Sequence, residues 1–142
     1  MHANNRESGF SLIELAIVLT VIGLMLAMGI PAFQTLSQSQ SLRGASLNVA
    51  GQITLARTRA MATGVSQTVN FDGSTTPARV VVLSGTASRT WALPKGITFA
   101  SANSFNMTSD GRASTSQYIV LQNRRAIRDT VSVQTSGLVL VR

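Results

Sequence analysis

The chain has 142 residues, room for one modest domain, and no cysteine, which excludes a disulfide framework, a thiolate metal site and a cysteine nucleophile. Twelve Lys and Arg residues oppose five acids, and eleven of the twelve are arginine. The single histidine, His2, lies at the N-terminal end, so the rest of the chain lacks the usual general base and transition-metal ligands. No enzymatic activity, cofactor or metal is expected.

From Phe10 to Phe33 the only charged residue is Glu14. These 24 positions can cross a ~30 Å hydrocarbon core as a helix rising ~1.5 Å per residue. An ordinary secretory signal has a shorter apolar core, with its small-residue cleavage site on the far side. Here the small pair Ser8-Gly9 comes before the apolar run. On hydropathy alone the segment is a signal anchor. Glu14 argues for more, because a carboxylate in an apolar helix costs roughly 2.5–3.5 kcal/mol to insert and so marks a functional position.

The string Gly9-Phe10-Ser11-Leu12-Ile13-Glu14-Leu15 resembles the type III signal of type IV pilins and type II secretion pseudopilins. The resemblance implies that a prepilin peptidase removes residues 1–9 by cutting between Gly9 and Phe10. It also implies that the new Phe10 amine is methylated and that Glu14 is the assembly residue. The chemistry is consistent with those roles. Cleavage turns the Phe10 amide nitrogen into a cation at a membrane-embedded helix end, where a neighbouring subunit's Glu14 can neutralise it. The leader departs from the family in carrying Glu7 beside the cut and Arg6 as its only arginine. The partners implied are other pilin or pseudopilin subunits, the prepilin peptidase and an inner-membrane assembly platform. The implied location is the inner membrane, single-pass, with a periplasmic head.

Gly29-Ile30-Pro31 predicts a kink or local loosening, since Pro31 removes one intrahelical hydrogen bond. Residues 34–142 form the expected head. After the polar stretch 34–41, Leu42, Ala45, Val49, Ile53, Ala56 and Ala60 step by three or four and predict a helix to about residue 62, with one face against a sheet. Thr63-Gly64 supplies its stop. Beyond Gly64, strands are predicted near residues 65–71, 79–84, 89–93, 97–100, 105–107, 117–122, 130–135 and 138–141. Turns are predicted at Asp72-Gly73, Asp110-Gly111 and Ser136-Gly137. The fold class is therefore α+β, a long helix laid on an antiparallel sheet.

Three head segments, residues 55–60, 105–111 and 131–137, resemble the GspH/FimT group of minor pilins and pseudopilins. That resemblance implies a subunit that primes a fibre and then sits at its tip. A competing function is DNA binding during uptake, because the chain from Ser39 onward holds eleven bases against three acids, a net +8. In the FimT branch a C-terminal Gly-Arg-x-Arg motif is linked to DNA contact. The matching positions here are Gly137, Leu138, Val139 and Leu140, leaving only Arg142 nearby. Arg124, Arg125 and Arg128, in a predicted loop beside Asp129, are the other candidates for phosphate or subunit contact. Trp91 and Tyr118 are expected in the core.

Overall fold

A computed structural model describes residues 11–142, apart from the side chains at positions 28, 31 and 32. Helix α1 spans Leu12–Thr63, 52 residues. It is continuous through Gly29, Ile30 and Pro31, so the expected loosening does not interrupt the helix. It ends where Gly64 takes φ +68, the left-handed geometry that glycine adopts without a Cβ clash. The chain divides into two compact parts between Ser37 and Gln38.

In the second part, the stripe read from the sequence is the buried face of α1. Leu42, Ala45, Val49, Ile53, Ala56 and Ala60 are each 3% exposed or less. Ser46 joins them because its hydroxyl donates to the Leu42 carbonyl at 3.2 Å, which removes the penalty for burying it. Opposite this face lie eight strands: β1 (Gln67–Asp72), β2 (Arg79–Ser84), β3 (Ala87–Ala92), β4 (Ile97–Ser101), β5 (Phe105–Met107), β6 (Gln117–Asn123), β7 (Arg128–Val133) and β8 (Val139–Val141).

The strands form two antiparallel four-stranded sheets, in the orders β3-β2-β1-β5 and β4-β6-β7-β8, where the sequence predicted one. The break falls between β3 and β4. Pro94 has no N–H for a ladder, and Gly96 at φ +88 turns the chain away, so β4 pairs with β6 instead. The sheets meet through aromatic rings. Phe71 of β1 stands edge-on to Phe99 of β4 at 5.3 Å between centroids and stacks near Phe105 of β5 at 6.2 Å.

Two further corrections concern the second sheet. Arg128 opens β7 opposite Gln122 instead of sitting in the preceding loop. The loop is shorter than predicted because Asn123 closes it, with its backbone N–H donating to the Ile127 carbonyl at 3.1 Å. Tyr118, expected in the core, is 70% exposed. Its neighbours Gln117 and Ile119 sit on the inner face of β6, and the pleat turns Tyr118 outward.

Candidate assembly segment and basic surface

Gly9 and Phe10 lie outside the described residues. The described chain enters α1 at Ser11, whose carbonyl accepts the N–H groups of Glu14 (3.0 Å) and Leu15 (3.2 Å). Glu14 therefore lies in the first turn, where a carboxylate is favoured by the partial positive charge of the helix start. Around and beyond it the helix is apolar on every side. Leu12 is 85% exposed, Ile13 70%, Leu24 63% and Met25 70%, and no polar face separates them. A helix hydrophobic all round is normally enclosed by other protein or by lipid. Covering one such side chain is worth about 1.5–3 kcal/mol, so the segment is built for an environment that this single chain does not supply.

The basic residues do not form one cluster. Arg128 and Arg142 come together: the Arg142 backbone exchanges two hydrogen bonds with Thr130 (2.9 and 3.0 Å), two positions along β7 from Arg128. Both arginines are exposed. Arg124 and Arg125 occupy the β6–β7 turn, and Arg124 packs against Gly96, beside Lys95. Asp129, next to Arg128 in sequence, turns inward from the exposed arginines. It is 8% exposed and approaches Arg43 of α1, with Nη1 to Oδ1 at 3.7 Å. Its charge is directed to the helix.

The three head segments singled out by resemblance meet at the C-terminal end of α1. Gly111 and Gly137 both take positive φ, +78 and +79. A Cβ on Gly111 would lie 2.6 Å from Met61 Sδ, and one on Gly137 would overlap the Gly111 carbonyl oxygen and reach within 2.8 Å of Arg57 Nε. Arg57 therefore lies against two glycine turns that carry no side chain to displace it. Thr108 stiffens the first turn, donating its one hydroxyl hydrogen to Asp110, with the Arg112 carbonyl also 2.9 Å from the hydroxyl oxygen. The Thr108 hydroxyl is also the main reason the Asp110 carboxyl titrates below its usual range. Spacing alone gave no signal for this convergence, because its members are far apart in the chain.

Residues 4–30 match the family model of the prokaryotic N-terminal methylation motif. Over 134 residues, 92% of this chain and 79% of the relative, the sequence is 28% identical to the type IV major alpha-pilin of Moraxella bovis. Its N-terminal motif and most of its length thus resemble type IV pilins. No solved structure matches it. For a pilin-like chain, the matched motif implies other pilin subunits as partners and processing by a prepilin peptidase. The long helix packed on antiparallel sheets is consistent with the pilin fold. Among the described residues no helix is long and apolar enough to cross a membrane. The apolar run of the pilin-like helix includes positions 28, 31 and 32, whose side chains lie outside the description.

Proposed function

We propose that this pilin-like chain is a minor subunit of a type IV pilus or type II secretion pseudopilus, of the GspH/FimT-like branch. In this reading it is held in the inner membrane by a single N-terminal helix, with its head in the periplasm, until it is drawn into a fibre that it primes or caps. The leader is removed after Gly9, Phe10 is methylated, and Glu14 pairs with the Phe10 amine of a neighbouring subunit. The observation that carries this is the helix from Leu12 to Met25, apolar and exposed all round, with Glu14 as its one charge. The meeting of residues 55–60, 105–111 and 131–137 around Arg57 supports the choice of branch, since the segments that resemble the GspH/FimT group form one packed unit.

The relative from Moraxella bovis is a major pilin, so copy number separates the two roles. Quantitative mass spectrometry of sheared fibres is expected to find this chain at no more than a few per cent of the bulk subunit, with deletion lowering the number of fibres. Finding it as the bulk component would defeat the minor role.

A DNA-binding function in uptake is the alternative, favoured by Arg128 at the start of β7 and Arg142 just past β8, both exposed, with the Arg142 backbone paired to Thr130. Against it, Leu138 and Leu140 are exposed where the uptake motif carries arginine. Replacing Arg124, Arg125 and Arg128 with alanine is expected to lower affinity for duplex DNA only in proportion to the charge removed. The same loss is expected when Arg79, Arg89 and Lys95 are replaced. Tight binding near physiological salt that only the first triple variant abolishes would make DNA uptake the primary function.

A further inference from the structure

Asn123, at the end of β6, is 7% exposed. Its side-chain Oδ1 accepts the N–H groups of Arg125 and Ile127, each at 3.0 Å. Only the oxygen of an amide accepts, so these two bonds fix which way the group points. The remaining Nδ2 is buried and has no hydrogen-bond partner. A buried donor left unsatisfied is costly. Gln38 Oε1, an acceptor likewise buried and without a hydrogen-bond partner, lines the smaller groove with it.

The surroundings supply a place for one. Two grooves of about 450 and 250 Å³ share Gly96, Ile97, Asn123 and Arg124 in their walls. Lys95 lines the smaller groove, Thr75, Thr76 and Thr98 line the larger, and no carboxylate lines either among the described residues. A Cβ on Gly96 would sit 3.0 Å from Arg124 Nε and 3.5 Å from its Cγ and Cδ. The glycine thus leaves the space in which the Arg124 stem lies, and Arg124 lines both grooves. The turn carrying it is already ordered, with the Ala126 N–H donating to the Asn123 carbonyl at 3.0 Å and Ala126 at φ +59.

We propose that this double groove binds an oxyanion, the phosphate or carboxylate group of a ligand. Arg124 and Lys95 supply the charge, and Asn123 Nδ2 supplies the directed hydrogen bond. The bonds to Asn123 Oδ1 hold the turn in place, while the side chains that cover the buried Nδ2 move aside to admit the ligand.

The test is a titration of the full chain in nonionic detergent with sodium phosphate and, separately, sodium acetate at constant ionic strength. It is followed by the NMR shift of the Gly96 backbone amide, with chloride as control. A saturable shift with phosphate alone assigns a phosphate-bearing ligand, with acetate alone a carboxylate, and with both the shared oxyanion chemistry. Asn123→Asp keeps an acceptor for Arg125 and Ile127 but replaces the donor with a second negative oxygen. It is expected to weaken binding more than about tenfold. Should that variant disturb residues 124–127, Lys95→Gln, which lies outside the turn, decides: it is expected to weaken binding severalfold. Linear shifts equal to those with chloride, or saturable binding that Lys95→Gln and Arg124→Gln leave unchanged, would overturn the proposal.

Discussion

Glu14→Ala is expected to leave the chain inserted and its head folded while lowering its share in fibres about a hundredfold. The substitution removes the one charge from an otherwise apolar helix, so insertion becomes easier. On the proposed assembly role, its effect is expected only on assembly, when the methylated amine of a neighbouring Phe10 would be enclosed without a counter-ion. Leaving one buried charge unpaired costs about 3–5 kcal/mol, and each 1.4 kcal/mol is about a factor of ten. Glu14→Gln is expected to behave like the alanine variant, and Glu14→Asp to recover part of the loss. The measurement is the ratio of this chain in sheared fibres to that in the membrane fraction. An unchanged ratio for Glu14→Ala would remove Glu14 from the mechanism.

The second large effect is expected in the head. Gly137→Ala forces an L side chain to φ +79 and drives its Cβ into the Gly111 carbonyl oxygen, a backbone atom that cannot swing aside. The left-handed conformation alone costs about 1–2 kcal/mol. With the overlap added, a total above about 3 kcal/mol is expected, placing this substitution in the severe tail. Gly85→Ala is the control, with φ +58 at the β2–β3 turn and nothing within 4 Å of the added Cβ. It is expected to cost only the conformational part, about 1–2 kcal/mol. Equal losses in thermal unfolding of the two variants would show that the packing of Gly137 on Gly111 and Arg57 contributes nothing.

The elements that rest on local chemistry were legible in the sequence. The stripe from Leu42 to Ala60 needed only helical spacing, and Thr63-Gly64 placed the helix end. All eight strands fell near their predicted positions, because turn residues and alternating apolar positions act within a few residues of each other. Pairing between distant strands leaves no such signal, so the division into two sheets was missed, although Pro94 and Gly96 mark where it occurs. The direction of Asp129 toward Arg43 was hidden for the same reason, since the partners are 86 positions apart (129 − 43). Tyr118 was a different kind of error. Its neighbours Ile119 and Leu121 fix the inner face of β6, and the period of two already places Tyr118 outside. The N-terminal methylation motif was legible, because it is carried by consecutive residues. The double groove was not, because Lys95 and Gly96 meet Asn123 and Arg124 only through the β4–β6 pairing.

The most direct test of the assembly account is the mass of this chain's N-terminal peptide recovered from sheared fibres of cells with an active prepilin peptidase. The account predicts a peptide that begins at Phe10 and carries one methyl group on its amine. A chain that still bears Met1–Gly9, or that never appears in the fibre fraction, would contradict it.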